Sequence, residues 1–256
     1  MILHSYNRGE GIKDLRAALE ARGEHTVVLD RKPMRKRPMV VCWGSKLIAY
    51  NREGCLFLNP PEVTKVFSNK LSFFRHVEKK FENDPYPCPE WTTDPEVAKN
   101  WPVTVARHVI DGSGGEGIEL VEVGQEIPKA PLYTKYQKKT SEYRVHVFKV
   151  QGAFEIRHIQ KKVAKDNGEE HNFKIRNLEN GFVFQQNNFE TPEAVTKLST
   201  EFMKDYFPEI DFVALDVIYS KKENRAFVLE GNTAPGLQGK TVEIYVDYLL
   251  ERKRMR

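Results

Sequence analysis

The sequence predicts an α+β protein in which a small α/β unit precedes a longer, strand-rich part. Two observations predict this class. Residues 1–42 contain short β-rich runs around one amphipathic helix, and from about Trp101 onward the apolar residues recur at every second position, which is the period of a half-buried strand. The chain has 256 residues, of which 40 % are hydrophobic. That length corresponds to about one to three compact units with real cores.

The N-terminal unit is predicted to run strand, helix, strand, strand. The helix is indicated by apolar residues on one face, namely Ile12, Leu15 and Leu19. The two later strands are the apolar runs 26–29 and 39–42. Five basic residues lie between these runs, within the segment from Arg31 to Arg37. They indicate either a solvated loop or a contact surface for an acidic or nucleic-acid partner.

The remaining elements follow in order along the chain. Two helices, around residues 61–67 and 71–81, are predicted before a proline-rich loop at 84–89 that is the clearest linker. A third helix begins after Thr191, and a final helix near residues 242–250 leads into a basic tail. The predicted strands are residues 103–107, 117–123, 132–136, 143–150, 154–162, 212–219 and 226–230.

Charge and cysteine content exclude several classes of protein. Lys and Arg number 40 and Asp and Glu 36, so the net charge is +4, which by itself does not indicate a nucleic-acid or membrane partner. The three cysteines, Cys42, Cys55 and Cys88, form no CxxC pair, which favours a reducing compartment over a disulfide framework or a cysteine zinc site. No apolar run approaches the ~20 residues of a membrane span, and no signal-peptide pattern is visible. We therefore expect a cytoplasmic protein.

A candidate metal site lies near the C-terminal end of the chain. Glu230 and Asn232 are two residues apart on a predicted strand, so their side chains point to the same face. Asp216 lies on the preceding apolar strand, and antiparallel pairing would bring its carboxylate beside Glu230. Hard cations such as Mg²⁺ prefer this all-oxygen ligand set. The alternative is a strand end with incidental acidic residues.

A glycine-rich loop lies between two predicted strands. Residues 112–117 contain four glycines, which would let backbone N–H groups approach an anion without side-chain obstruction. The loop has no Gly-Lys-Ser/Thr sequence, and a strand follows it, so it matches neither the P-loop nor the dinucleotide fingerprint. A hairpin that closes over phosphates fits the pattern, and a flexible hairpin tip is the alternative.

Basic residues on three predicted strands form the third signal. Arg107, Lys135 and Arg144 lie on half-buried strands, where unpaired cations are costly, so a polyphosphate partner would explain them together. Salt bridges on an exposed sheet face are the alternative for each one alone. The histidines His108, His146 and His158 are interpreted as structural. No nucleophile–base set is discernible, which disfavours a hydrolase with a covalent intermediate.

The order of these features resembles the ATP-grasp superfamily, and most closely its branch of ribosomal-protein polyglutamate ligases and small ATP-grasp proteins of tailed phages. The resemblance extends upstream through residues 87–91 and 58–71, so that it covers nearly the whole chain. It implies an ATP-grasp fold of two α+β subdomains that clasp ATP, preceded by a small α/β domain. The implied domains are residues 1–66, residues 67–131 with the glycine-rich hairpin, and residues 132–256 with the Mg²⁺ site.

The resemblance also implies roles for individual residues in binding ATP and metal. Asp216, Glu230 and Asn232 would hold one or two Mg²⁺ ions, with Mn²⁺ as an alternative ion. Arg107 stands where the family usually has a lysine that contacts the nucleotide phosphate and adenine, and a guanidinium changes the donor geometry. The other implied nucleotide-binding residues are Lys70 at the phosphates, Gly112, Ser113, Gly114, Gly115 and Gly117 in the hairpin, Lys135 and Tyr136 at the adenine edge, and Glu142 at the ribose.

Three basic residues are implied in catalysis: Arg144, Lys161 and Arg176. Lys161 is the residue expected to face the γ-phosphate, although a register slip of one residue would exchange it with Lys162. Arg176 and Asn177 resemble an Arg-Ser-Asn sequence that lies near the transferred phosphate in the family.

The activity implied by the resemblance is an ATP-dependent carboxylate–amine ligase that forms an amide through an acylphosphate, with ADP and phosphate as products. Its partners would be a small-molecule or peptide carboxylate and an amine acceptor, with residues 180–188 and 236–241 as candidate acceptor loops. Nucleic acid is an alternative partner, suggested by the basic runs at 31–37 and 252–256. The alternative functions are a phosphotransferase with a hydroxyl acceptor and a non-catalytic nucleotide- or polyanion-binding module. If the protein is phage-encoded, we expect it in the host cytoplasm.

Overall fold

The structure is a computed structural model that describes residues 1–5, 9–29, 39–44, 55–82, 85–112, 115–166 and 171–255. Within these ranges the chain forms thirteen strands in three sheets, together with six helices. The basic run from Arg31 to Arg37 lies outside the described residues, as do Ser113 and Gly114. In the described part of the chain, no helix combines the length and apolar character needed to cross a membrane.

The first sheet is parallel and belongs to the N-terminal unit. Its strand order is β2-β1-β3-β4, and the helix α1 packs on it. Ile12, Leu15 and Leu19 are the buried residues of α1, which confirms the predicted helical face. These elements are β1 (Ile2–Ser5), α1 (Glu10–Ala21), β2 (Val27–Leu29), β3 (Met39–Trp43) and β4 (Leu56–Leu58).

The second sheet is antiparallel and carries the glycine-rich hairpin between two of its strands. Its order is β5-β8-β6-β7, formed by β5 (Trp91–Thr92), β6 (Val103–Arg107), β7 (Ile118–Glu122) and β8 (Leu132–Lys135), with the short helix α4 (Pro95–Ala98) beside it. The sequence-based division places β8 in the C-terminal domain, but β8 pairs with β6 and β5. The hydrogen-bonded sheet therefore extends through Lys135, four residues beyond the predicted boundary at 131.

The third sheet is the largest and is also antiparallel, with the order β11-β10-β9-β12-β13. Residues 180–188, expected to be a loop, contain its edge strand β11. The strands are β9 (Ser141–Val150), β10 (Ala153–Ala164), β11 (Phe182–Gln185), β12 (Phe212–Ser220) and β13 (Arg225–Asn232). The associated helices are α2 (Pro61–Phe67), α3 (Lys70–Lys80), α5 (Glu193–Tyr206) and α6 (Lys240–Arg254).

The two faces of the third sheet have different roles. Tyr143, Val145 and Val147 of β9 lie in the core that the sheet forms with α2, α3 and α5. The alternate residues of β9 point to the other face, where Phe148 packs under α6 and the first sheet. The part of this second face that α6 does not cover is polar, and it forms one wall of the cleft described below.

Asn59 joins the N-terminal unit to the third sheet. Its backbone N–H donates to Asp211 Oδ2 at 2.8 Å and its side-chain amide donates to the Phe212 carbonyl at 2.8 Å. Its Oδ1 accepts from the backbone N–H groups of Asp211 and Phe212 at 2.9 and 3.0 Å. Asn59 has φ of 56°, a left-handed conformation that asparagine tolerates better than most residues. The residues that precede α2 are therefore hydrogen-bonded to the start of β12.

Candidate active site

A cleft of about 600 Å³ is lined by the second and third sheets. The second sheet contributes mainly apolar side chains from β6 and β7, including Val105, Ile118 and Leu120. The third sheet contributes charged and amide side chains, and residues 174–178 also line the cleft. One wall suits a flat apolar group and the opposite wall suits a polar, charged one.

The polar wall is organised by cross-strand neighbours. Gln160 of β10 pairs with Arg144 of β9, Arg144 pairs with Asp216 of β12, and Asp216 pairs with Glu230 of β13. These four residues form a continuous row across four strands. Because the period of a strand is two, the same alternation places Asn232 beside this row, opposite Ala214. The predicted pairing of Asp216 with Glu230 is present in the structure.

Arg144 and Asp216 form a two-pronged ion pair in this row. Arg144 Nε donates to Asp216 Oδ1 at 2.8 Å and Nη2 donates to Oδ2 at 2.9 Å. Burial raises the pKa of the Asp216 carboxyl, but the charges of Arg144 and Lys162 and the Arg144 hydrogen bonds together hold the pKa below its usual range. Asp216 is therefore a carboxylate, and both of its oxygens are engaged.

The three candidate metal ligands offer two carboxylates and one amide oxygen. Glu230 Oε2 lies 3.2 Å from Lys70 Nζ, and Asn232 Oδ1 accepts from the Ala234 N–H at 2.9 Å. No cluster of three His, Cys, Asp or Glu side chains capable of holding a metal occurs in the described ranges. The oxygen donors of Asp216, Glu230 and Asn232 nevertheless fit a hard cation that completes its shell with phosphate oxygens and water.

Gly115 and Glu116 of the glycine-rich segment line the cleft. Gly115 has φ of 84°, and a Cβ there would lie 3.1 Å from Asn177 Nδ2. Gly117 has φ of 65°, and a Cβ there would lie 2.7 Å from Val109. These two positions require glycine for both conformation and space. Lys70 Nζ donates to the Gly112 carbonyl at 2.7 Å, so the same ammonium contacts the hairpin and Glu230.

Arg107 is a cation of the cleft whose burial carries an electrostatic cost. It is 9 % exposed, and among the described residues its Nε has no hydrogen-bond partner. Burial lowers its pKa, and the charge of Glu230 opposes this shift. A buried guanidinium without a carboxylate within salt-bridge distance in the described part of the chain is costly. An anionic ligand in the cleft would relieve that cost.

The residues expected at the hinge and ribose have partners within the protein. Lys135 Nζ binds Glu90 Oε1 at 2.6 Å, and the backbone N–H groups of Lys135 and Tyr136 donate to Glu90 and Val103 carbonyls. Glu142 lies 2.5 Å from Lys162 and 3.1 Å from Lys139. Five of these residues line the cleft: Lys135, Tyr136, Lys139, Glu142 and Lys162.

The structure brings Lys162, and not Lys161, to the cleft. Lys162 Nζ lies 2.5 Å from Glu142 Oε1 of β9, whereas Lys161 pairs with Tyr143, whose side chain is in the core beneath the sheet. Alternation along β10 therefore turns Lys161 away from the lining residues. Arg176 does line the cleft; its Nη2 donates to the Thr140 carbonyl at 3.3 Å.

Lys139 and Gln160 are polar lining residues that the sequence analysis did not single out. The alternation that includes Lys162 also includes Gln160, so a correct choice of strand face would have found it. Lys139 precedes β9 in a loop, where periodicity carries no information. Its pairing with Glu142 depends on the turn between the second and third sheets.

A buried hydrogen-bond chain begins at Gln160. His146 Nε2 lies 3.1 Å from Gln160 Oε1, and His146 Nδ1 lies 3.0 Å from the Tyr245 hydroxyl. Because an amide oxygen only accepts, Nε2 carries the proton and Nδ1 accepts from Tyr245. Gln160 Nε2 then donates to Thr241 Oγ1 at 3.3 Å. Burial lowers the pKa of His146 to about 3, so this imidazole is neutral at physiological pH.

A second cavity of about 550 Å³ adjoins the first. The two share Lys70, Glu230 and Asn232, at the end of the cleft where the candidate metal ligands lie. The remaining wall of the second cavity comes partly from the N-terminal unit, through α1 and the end of β3. Two compartments therefore meet at one cluster of carboxylate, amide and ammonium groups.

The architecture matches several solved structures over nearly the full length of each chain. One is the ATP-grasp ligase PsnB complexed with a minimal precursor, Mg and ADP, with a TM-score of 0.68, 12 % identity, and coverage of 98 % of this chain and 96 % of that chain. Another is D-alanyl-alanine synthetase A from Vibrio cholerae, with a TM-score of 0.65, 13 % identity and coverage of 98 % and 96 %. A third is D-alanine–D-alanine ligase from Bacillus anthracis, with a TM-score of 0.64, 13 % identity and coverage of 100 % and 98 %.

No protein-family model matches the chain. The search of curated proteins also found no match. At the identities of the structural matches, the likeness shows the fold, and the chain therefore has the ATP-grasp fold.

Proposed function

We propose that this protein is an ATP- and Mg²⁺-dependent ligase that joins a carboxylate to an amine. The observation that carries the proposal is the charge of the cleft. Eight cationic side chains and four carboxylates line it. Two of those carboxylates, Asp216 and Glu230, are cross-strand neighbours, and Glu230 also lines the second cavity. An excess of cations beside an oxygen-donor cluster suits a nucleoside triphosphate with its metal ion.

In the proposed reaction, the substrate carboxylate attacks the γ-phosphate and ADP leaves. The amine then attacks the acylphosphate carbon, and phosphate departs as the amide forms. Such chemistry needs alignment and charge stabilisation more than a protein nucleophile. Lys162, Arg144 and Lys70 would stabilise the phosphates. Bound Mg²⁺, held by Asp216, Glu230 and Asn232, would neutralise phosphate charge.

The apolar wall and the hairpin supply the remaining parts of the proposal. The purine would lie against Val105, Ile118 and Leu120, with Arg107 between the base and the phosphates. The hairpin would cover the phosphates and exclude water, which would otherwise hydrolyse an acylphosphate. The second cavity would admit the acceptor at the metal end of the cleft.

We propose that the three sheets mark three domains, with the second extending to Lys135.

The similar structures support this substrate class. PsnB has been solved with a precursor peptide and with Mg and ADP, and the D-alanine ligases are named for a small-molecule reaction. We propose a small-molecule or peptide carboxylate and an amine as the substrates of this chain. A phosphotransferase with a hydroxyl acceptor would use nearly the same residues and is distinguished by its product.

A module that only binds polyanions receives less support. Within the C-terminal basic run, Arg252 pairs with Asp211 at 3.3 Å and Lys253 pairs with Glu24 at 2.5 Å. Both cations are used to attach α6 to the rest of the fold. They are therefore less available to a nucleic acid than the sequence suggests.

The first test is ADP release from Mg²⁺-ATP, with intact-mass analysis of products formed from pooled amino acids, peptides and nucleic acids. A condensation product formed with ADP supports the ligase, and a mass gain of one phosphate indicates a kinase. Absence of nucleotide binding under all conditions would overturn the proposal.

Substitution of the metal ligands gives a sharper version of this test. Asp216→Asn or Glu230→Gln removes one charge from the proposed ion site, and we expect turnover to fall by at least about 100-fold, the scale for losing one important electrostatic stabiliser. Glu155→Gln is a matched control, because Glu155 pairs with Arg157 outside the cleft lining. Thermal unfolding confirms that each variant is folded. Unchanged turnover in both site variants would contradict the metal assignment.

A further inference from the structure

The carboxylates assigned to the metal already have cationic partners within the protein. Arg144 contacts both oxygens of Asp216, at 2.8 and 2.9 Å. Lys70 Nζ lies 3.2 Å from Glu230 Oε2. Three of the four carboxylate oxygens that would face a divalent ion are therefore engaged by a guanidinium or an ammonium group.

Both cations are held in place by further contacts. The Arg144 guanidinium lies over the Phe184 ring at 4.4 Å from its centroid, and its side chain is 16 % exposed. The Lys70 ammonium also donates to the Gly112 carbonyl at 2.7 Å. Arginine cannot lose its proton in a protein, so Arg144 can release Asp216 only by moving.

A divalent ion that enters this cluster alone meets carboxylates that are already neutralised, and it is repelled by two nearby cations. A nucleotide changes this balance because its phosphates offer Arg144 and Lys70 new anionic partners in the same cleft. The carboxylate oxygens then become available as the phosphates arrive, and the phosphates themselves supply further oxygen ligands.

We propose that Arg144 and Lys70 are internal counter-ions that make divalent-metal binding depend on the nucleotide. This inference rests on the proposed function, because it takes Asp216 and Glu230 as metal ligands in a nucleotide site. Metal binding and nucleotide binding are then reciprocally coupled: each raises the affinity of the other by the same factor. The counter-ions also hold the two carboxylates in position.

The test uses Mn²⁺ as the probe and measures the free ion by its electron paramagnetic resonance signal, with and without ADP, after correction for the Mn²⁺ that ADP binds in protein-free solution. For the natural chain we expect ADP to tighten Mn²⁺ binding by at least about 10-fold, the scale of a typical coupling between sites. For Arg144→Met we expect nucleotide-free Mn²⁺ binding at least about 10-fold tighter than in the natural chain, because one competing charge is gone.

Arg157→Met is the matched control. Arg157 also bonds to two carboxylate groups, Glu155 at 2.7 Å and Glu251 at 2.8 Å, and it is 19 % exposed, but it does not line the cleft. We expect it to leave Mn²⁺ binding unchanged. If the methionine variant does not fold, Arg144→Lys is the second variant, because it keeps the charge but donates from a single point. Its nucleotide-free Mn²⁺ affinity is then expected to be higher than that of the natural chain.

Two results overturn the inference: Mn²⁺ affinity that is the same with and without ADP, or an Arg144→Met variant that binds nucleotide-free Mn²⁺ no better than the control. Neither result contradicts the proposed function if ADP still binds. Binding of ADP is measured separately by calorimetry, and failure of ADP to bind at any Mn²⁺ concentration contradicts the proposed function instead.

Discussion

At the scale of single residues, a buried charge without a partner in the protein indicates where a ligand of opposite charge binds. Arg107 lies in the second sheet, faces the cleft, and has an Nε without a hydrogen-bond partner in the described structure. A group kept in this state destabilises the free protein. The same group gains the most when a ligand supplies the missing acceptor, because the surroundings are already desolvated.

Replacing Arg107 by methionine should therefore separate stability from binding. We expect the nucleotide-free variant to be at least as stable as the natural protein, because a buried unpaired charge is removed. We expect ATP affinity to fall by about 10- to 100-fold, corresponding to one or two lost charge-assisted hydrogen bonds. Thermal unfolding without nucleotide and calorimetric titration with ATP measure the two effects. An Arg107→Met protein that is destabilised yet binds ATP normally would refute the ligand role.

His146 predicts a pH dependence of stability. Burial lowers its pKa in the folded state from 6.5 to about 3, so between these values the unfolded chain binds more protons than the folded one. The contribution of His146 is fully present above about pH 6.5 and is lost as the pH falls towards 3, at up to about 1.4 kcal/mol per pH unit.

Urea unfolding between pH 7 and pH 4.5 tests this pH dependence. The His146→Asn variant should lose stability less steeply on acidification than the natural protein. A useful control is His108→Asn, because His108 is exposed and bonds Glu119 at the surface. If the free energy of unfolding falls equally with acidification in the natural protein and in His146→Asn, His146 is not kept neutral by burial.

At the scale of secondary structure elements, strand alternation sets which side chains can act together. In β10, the positions of Gln160 and Lys162 face the cleft, whereas Lys161 does not line it. The row Gln160–Arg144–Asp216–Glu230 exists because four neighbouring strands are in one register. A shift of one residue in any strand would move its polar side chain to the apolar core.

Lys161 and Lys162 form an adjacent pair that tests this alternation. Lys162→Met should weaken ATP binding by at least about 10-fold, because it removes a cleft cation that would bind phosphate. Lys161→Met should change ATP affinity by no more than about 2-fold, as expected of a substitution outside the site. Calorimetric titration of both variants under the same conditions provides the comparison. Equal losses, or a larger loss for Lys161→Met, would contradict the assigned face.

At the scale of the whole molecule, the functional cavities depend on how the N-terminal unit is attached. The second cavity has walls from both this unit and the loop after β13. A Cβ on Gly44 would lie 2.8 Å from the Ala234 side chain, so β3 and this loop are in close contact. Asn59 adds hydrogen bonds between the same unit and the start of β12.

Asn59→Ala should therefore destabilise the protein by about 3 kcal/mol or more, because it leaves buried backbone groups unpaired and keeps an unfavourable left-handed conformation. Asn59→Gly loses the same side-chain bonds but tolerates φ of 56°, so it should be about 1 kcal/mol more stable than the alanine variant. Chemical unfolding at equilibrium measures both. An alanine variant within about 1 kcal/mol of the natural protein would show that this junction contributes little.

The sequence by itself determined the fold class, the buried face of α1, most strands, and the carboxylate–amide set of Asp216, Glu230 and Asn232. These features depend on local periodicity and on residue chemistry at short spacing. Such patterns survive in any register, because alternation fixes neighbouring side chains relative to one another. The edge strand β11 was missed because it has only four residues and polar residues flank its apolar run, so its pairing with β10 stabilises it more than its own pattern does.

Only the tertiary structure decided which face of each strand meets the cleft. It selected Lys162 over Lys161, placed Glu142 between Lys162 and Lys139, and added β8 to the second sheet. It also brought Tyr245 to His146, which lies 99 residues earlier in the chain. The physical reason is that burial and strand pairing between distant segments choose one of two equivalent faces. The local spacing of residues does not distinguish the two faces of a strand.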